Sequence, residues 1–186
     1  ERSRLDAPPV QPPSFDEYSN PLPRMLDAMT ELLSATALVP QELDHALTLP
    51  ARFYTDARMP ALDAKAIFSR SWQLVCHQSQ LRGVGDHVVT AIAGLPLIVV
   101  RSDASSIRAF HNVCRHRAGP IASCDGRGAT SLRCRYHGWT YGLDGVLRGA
   151  PEMGRTPDFN PADIRLPEVH VHVWQGLVFV AIGDAP

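Results

Sequence analysis

Two short stretches decide how this chain is read: Cys114-Arg-His116 and Cys134-Arg-Tyr-His137, with 17 residues between His116 and Cys134. Each places one thiol and one imidazole within the reach of a single loop. Both residue types bind transition metals. The chain has four cysteines, Cys76, Cys114, Cys124 and Cys134, among 186 residues, which is too sparse for a disulfide framework. A thiolate metal site fits a reducing compartment, so the cytoplasm is expected.

Working outward, both loops are flanked by sheet-like segments. Trp72–Val75, His87–Ala93, Leu97–Arg101, Ile107–Asn112 and Val169–Ile182 are rich in Val, Ile, Leu and aromatics. Gly83–Asp86, Gly94–Pro96 and Ser102–Ser106 punctuate them. Many short strands with turn signals predict a mainly β, antiparallel body. In Val169-His-Val-His-Val173 the alternation is strict, which puts His170 and His172 on one face and the valines on the other. Gln175-Gly176 offers a tight turn before the last strand. Cys76 reads as a core residue of a strand and Cys124 as a small loop residue. Residues 61–71 predict a short helix with Leu62, Ile67 and Phe68 apolar.

Two hairpin tips of this kind could pinch a single inorganic group between them. Zinc takes Cys₂His₂, but through paired C-x₂₋₄-C and H-x₃₋₅-H. Here each half is one Cys followed by one His, as C-x-H and C-x-x-H. A two-iron cluster explains the mixture better. Two thiolates hold one ferric ion, and two neutral imidazoles hold the other with less negative charge. That substitution raises the reduction potential to roughly −150 to +300 mV.

The two loops resemble the C-x-H-x₁₇-C-x-x-H signature of Rieske proteins. Asn112-Val-Cys-Arg-His-Arg-Ala-Gly119 with Cys134-Arg-Tyr-His-Gly-Trp-Thr-Tyr141 resembles the large (alpha) subunits of ring-hydroxylating and related Rieske non-haem iron oxygenases. The likeness runs from about Pro50 onward and includes Phe53-Tyr54, Leu143-Asp-Gly145 and Trp174-Gln-Gly-Leu-Val-Phe179. It implies a β-sandwich-type Rieske domain over 50–186, with N-terminal helices, binding a [2Fe–2S] cluster through Cys114, His116, Cys134 and His137. It also implies single-electron transfer to a mononuclear iron in a catalytic domain of the same or a neighbouring subunit. A reductase or ferredoxin would be the electron donor, in a trimer-based homo-oligomer, for O₂-dependent hydroxylation or demethylation. The alternative is a stand-alone Rieske ferredoxin, a likeness that would cover the β core but not the segment before Trp72. Rieske proteins of bc-type complexes add a disulfide between the loops, at positions that here are Gly119 and Tyr136. Its loss implies a potential toward the low end of the range.

Around the four candidate ligands, Trp139 and Tyr141 read as packing beside the loops, or as ordinary core. Tyr141 could donate a hydrogen bond to a ligand thiolate or cluster sulfur. Arg115, Arg117 and Arg135 read as partners for a carboxylate of a neighbouring domain or donor, or as solvated side chains. Gly119 and Gly138 read as turn residues or as room for close backbone approach.

A mononuclear iron needs two histidines and a carboxylate. His45, His77, His87, His111, His170 and His172 offer no such set by spacing, so that iron is expected only in a catalytic domain missing from this sequence. The chain starts at Glu1 and ends at Pro186, which reads as an excised domain or as a gene fragment. Residues 1–49 read as a proline-rich arm and an amphipathic helix: Asn20-Pro21 suits a helix start, and Leu22, Met25, Leu26, Met29, Leu32 and Leu33 share one face. The composition is ordinary for a globular protein, with 45% hydrophobic and 20% charged residues and a net charge of −1. Nothing in it suggests nucleic acid or an anionic membrane as partner. No apolar run reaches the roughly 18 residues of a membrane span.

Overall fold

The computed structural model describes residues 41–154 and 156–183. The proline-rich arm and the helix expected after Asn20 lie outside the described residues. The chain divides into two units, Glu1–Met59 and Pro60–Pro186. The first contains a 3-10 turn at Leu43–His45 and a short helix, α1 (Arg52–Thr55). Helix α2 (Met59–Asp63) crosses the division and buries Leu62.

The helix expected over 61–71 is shorter and differently wound. It begins at Met59, passes into a π-type turn at Ala64–Phe68 and stops there. The hydroxyls of Ser69 and Ser71 bond the carbonyls of Lys65 and Ile67, side-chain bonding that competes with helix continuation. Ile67 and Phe68 are exposed rather than packed.

Among the described residues nine antiparallel strands follow: β1 (Gln73–His77), β2 (His87–Ile92), β3 (Leu95–Arg101), β4 (Ile107–His111), β5 (Leu132–Arg133), β6 (Thr140–Tyr141), β7 (Leu147–Gly149), β8 (Glu168–Trp174) and β9 (Leu177–Ala181). Six form one sheet in the order β1-β9-β8-β4-β3-β2, and β5-β6-β7 form a second. The edge strands β1 and β2 of the larger sheet touch, so it curls into a nearly closed barrel. The expected turn at Gly94–Pro96 sits one residue earlier, at Ala93-Gly94, and Leu95 and Pro96 belong to β3. Both residues of that turn, like Gln175-Gly176 between β8 and β9, have positive φ. That backbone twist matches a two-residue antiparallel hairpin. In β8, His170 and His172 are exposed while Val169 and Val171 face inward.

The described residues form two cores, and β3 serves both. Leu97 and Val99 point into the barrel with Cys76, Val88, Ala109, Val178 and Val180. Ile98 and Val100 point the other way, with Phe110 of β4, into a core that includes Cys114, Cys134, Trp139, Tyr141 and Leu147. All four β3 residues are fully buried. The second core lies directly beneath the two cysteine–histidine loops, so a barrel wall forms their foundation. Cys76 belongs to the barrel core, where burial and then the Asp125 charge push its thiol up, keeping it protonated. Cys124 is an exposed loop residue.

Candidate metal centre

The first loop leaves β4 and the second joins β5 to β6. Both turn in the same way. The Cys114 N–H donates to the Gly119 carbonyl (2.8 Å), and the Cys114 carbonyl accepts from the Ala118 N–H (3.0 Å). In the second loop, the Cys134 N–H donates to the Trp139 carbonyl (2.9 Å), and the Cys134 carbonyl accepts from the Gly138 N–H (3.0 Å). The fifth residue of each turn has positive φ, 55° at Ala118 and 74° at Gly138. The matched turns carry Cys114 and Cys134 into the core, where they are 3% and 2% exposed. The histidines stay partly exposed above them, with ring centroids 4.6 Å apart in an edge-on arrangement.

Asn112, one of two buried polar or charged residues among those described, anchors the first loop. Its Oδ1 accepts from the N–H groups of Ile121 and Ala122 (both 3.0 Å), and its Nδ2 donates to the Ala122 carbonyl (2.7 Å). The connector between the loops is tied to the barrel. Gly126 exchanges two backbone bonds with His87. Asp86, the other buried polar residue, accepts from the N–H groups of Gly83 and Gly128 and pairs with Arg127.

Three side chains around the pairs have clear tasks. The Trp139 indole lies parallel to the His116 ring, 4.8 Å away and tilted by only 6°, and covers one face of it, with Phe159 behind. The Tyr141 hydroxyl sits 3.3 Å from Cys114 Sγ and accepts from the Arg115 N–H at 3.0 Å. Burial, then the bond to Cys114, drives the Tyr141 pKa well up, so the phenol keeps its proton and can donate it toward sulfur. Gly119 leaves room for Cys134: a Cβ there would lie 3.2 Å from its Sγ and 3.3 Å from the Tyr136 Cβ. Arg117, like Arg115 and Arg135, is exposed.

His116 shows what the site is prepared to hold. Its Nδ1 is fully buried and has no hydrogen-bond partner. Burial first, and then His137 and Arg117, hold its pKa below the ordinary value, which favours the neutral imidazole. A buried ring nitrogen without a hydrogen-bond partner is costly in either tautomer unless something else engages it. A metal ion is the natural acceptor. Among the described residues no three His, Cys, Asp or Glu side chains converge on one ion position. The four candidates fall instead as a buried thiol pair and a partly exposed imidazole pair, a donor set that suits a two-iron cluster.

The barrel and the paired loops at its wall define an iron–sulfur domain of the Rieske class. Residues 71–160 match the family model described as the Rieske [2Fe-2S] domain. The chain is 36% identical over 141 residues to the carnitine monooxygenase oxygenase subunit of Escherichia coli K12, covering 76% of this chain and 37% of that protein. It is 35% identical over 137 residues to the benzene 1,2-dioxygenase subunit alpha of Pseudomonas putida, covering 73% of this chain and 30% of that one. Among solved structures, naphthalene 1,2-dioxygenase from Rhodococcus sp. bound to indole superposes with a TM-score of 0.69 at 27% identity, over 90% of this chain and 37% of that one. This chain belongs to the Rieske family and carries the [2Fe–2S] domain of the oxygenase-subunit kind. It spans little more than a third of the length of the carnitine relative.

Of the sequence-predicted residues, the fold brings Cys114, His116, Cys134, His137, Gly119, Gly138, Trp139 and Tyr141 together, and leaves Arg117 on the rim. Sequence reasoning gave no role to Asn112 or Asp86. The signal for Asn112 was an amide ending the apolar strand two residues before a cysteine. Asp86 ends a Gly-Val-Gly-Asp turn.

Proposed function

We propose that Cys114 and Cys134 hold one iron of a [2Fe–2S] cluster and His116 and His137 the other, and that this chain is the electron-transfer part of an oxygenase subunit. The buried, unpartnered Nδ1 of His116 beside its neighbouring imidazole is the observation that carries the reading. When bound, the cluster supplies one-electron redox chemistry. The chain's residues prepare the place for it. Trp139 fixes the His116 ring plane and excludes water from one face. Burial keeps His116 neutral, the form that ligates. The Tyr141 hydroxyl donates toward Cys114 Sγ, which lowers the charge density on a thiolate and favours the reduced state.

In the same reading residues 50–186 are the Rieske domain and 1–49 a separate arm and helix. The full-length subunit would receive electrons from a reductase or ferredoxin and pass them to a mononuclear iron in a catalytic domain, in a trimer-based assembly in the cytoplasm. The reaction is O₂-dependent hydroxylation or demethylation, with aromatic compounds and quaternary ammonium compounds as the substrate classes that the relatives support. By itself the chain would exchange electrons without oxygenating either class.

Metal and sulfide analysis tests the ligand set. The chain produced with iron and sulfide should hold two irons and two acid-labile sulfides, and Cys114→Ser or Cys134→Ser should lose both. One bound zinc with no sulfide would sink the proposal.

A further inference from the structure

Arg133 and Arg135 flank Cys134, and both are exposed. Among the described residues neither belongs to an ion pair, nor do Arg115 and Arg117 of the first loop. These arginines sit in a chain whose net charge is only −1, so the loops are a local concentration of positive charge without close ion pairs.

The four arginines do not share one lining. Arg133 and Arg135 line a depression of about 670 Å³ together with His87, Ser131, Cys134 and Gly138. Arg115 and Arg117 do not line it; they flank His116. The Arg133 guanidinium lies against the second loop, where a Cβ on Gly138 would be 3.3 Å from its Nη2. In His87, Nδ1 is 3.1 Å from the Gly85 carbonyl, which favours Nδ1–H as donor and leaves Nε2 uncommitted. The one carboxylate of the depression, Asp125, is engaged by the Val89 N–H at 2.8 Å. The depression thus offers two free guanidiniums beside a proposed thiolate ligand, and neither His116 nor His137 lines it.

We infer that this depression is where the electron donor docks: a one-electron redox protein with a carboxylate-rich face, whose acidic side chains engage Arg133 and Arg135. The inference rests on the ligand set proposed above. Electron tunnelling weakens steeply with distance, and a partner seated here comes close to Cys134. One electron leaves the donor's reduced iron–sulfur or flavin group and arrives on the [2Fe–2S] centre, with no bond made or broken. Entry on the thiolate side leaves the edge formed by His116 and His137 open toward the acceptor. Complementary charge steers such encounters and weakens with salt, since exposed charges are screened beyond about 10 Å at 0.1 M.

A strongly acidic plant-type [2Fe–2S] ferredoxin serves as the probe. Iron and sulfide are counted first, because a chain without them overturns both the ligand set and this inference. For cluster-bearing protein, the dissociation constant for the probe and the stopped-flow rate of electron arrival from its reduced form are measured at low and high salt. The Arg133→Glu/Arg135→Glu variant should weaken binding and slow arrival roughly tenfold at low salt, and flatten the salt dependence. The Arg115→Glu/Arg117→Glu variant should change both by less than about threefold. If reversal at Arg133 costs the cluster, Arg135→Gln alone should still give a measurable part of the loss. The inference is overturned if the wild-type chain does not bind the probe more tightly at low salt. It is equally overturned if cluster-bearing depression variants behave as wild type, or if the first-loop variant shows the larger loss.

Discussion

The loop at Cys114–Gly119 and the loop at Cys134–Trp139 make the same turn by different means. Both close with the cysteine N–H on the carbonyl five residues on. The second is held by backbone, since it joins β5 to β6 and Leu132 and Arg133 pair directly with Tyr141 and Thr140. The first has no such ladder across its base. It is held by one side chain, Asn112, and tied to the second loop by the Tyr141 hydroxyl. The left-handed position is a glycine in the second loop and an alanine in the first. The first loop therefore depends on two replaceable side chains and tolerates some backbone strain. The second depends on the sheet.

The largest test of that difference is Asn112→Ala. Two N–H groups and a carbonyl would lose their partners at once, and destabilisation of about 2–3 kcal/mol is expected. Urea unfolding measures the loss. Hydrogen exchange should localise it, with faster exchange at Ile121 and Ala122 and little change at Cys134 and Gly138. Equal acceleration in both loops would mean that the two are not separately anchored.

Tyr141→Phe cuts the tie between the loops. The Arg115 N–H and Cys114 Sγ lose a partner, with an expected cost of about 1–2 kcal/mol. Without that donor the reduction potential should also fall, by redox titration. An unchanged potential would leave Tyr141 a packing residue only.

The backbone positions give a smaller and opposite pair of effects. Gly138→Ala should cost about 1–2 kcal/mol, because a side chain at that φ is strained. Ala118→Gly should be neutral or stabilising by up to about 1 kcal/mol. Both are read by unfolding midpoints, and a destabilising Ala118→Gly would refute the strain assigned to the first loop.

Acid should produce the least difference between the loops. Asp86 pins the connector that serves both, and its carboxyl is held below the ordinary range, first by the Gly83 N–H and then by the Gly128 N–H. A depressed folded pKa means that the stabilisation is fully present above the unfolded value of about 3.9 and is lost as pH falls through the folded one. Urea midpoints of the wild-type protein and Asp86→Asn should converge as the pH drops below about 4. Midpoints that stay parallel would show that the charge contributes nothing.

These contrasts also show why some of the molecule was legible in the sequence. The longer strands and the hairpin at Gln175-Gly176 follow from side-chain alternation and turn chemistry, and the spacing of the metal-binding residues survives without any structure. Strands β5 and β6, two residues each, are too short to show a period, so the ladder under the second loop was invisible. The helix expected over 61–71 lies at 59–68, because apolar spacing does not register the competition of Ser69 and Ser71 for its carbonyls. The role of Asn112 was hidden because its partners lie nine and ten residues away. Nor does a sequence show that Arg133 and Arg135 border one depression while Arg115 and Arg117 lie outside it.

Strand β3 has a consequence of its own. A strand with one wet face is held in register because a slip of one residue would expose its apolar set. Leu97-Ile-Val-Val100 has no wet face, and a slip would merely exchange one aliphatic set for another. Hydrophobicity cannot tell this strand which way up it lies. Its alignment must come from its ends: the two-residue turn at Ala93-Gly94, and Arg101, whose N–H and carbonyl bond Asp86 and Gly85 while its guanidinium caps the Leu81 carbonyl. Lengthening that turn by one residue would leave the strand as greasy as before and place the wrong side chains beneath the cysteines.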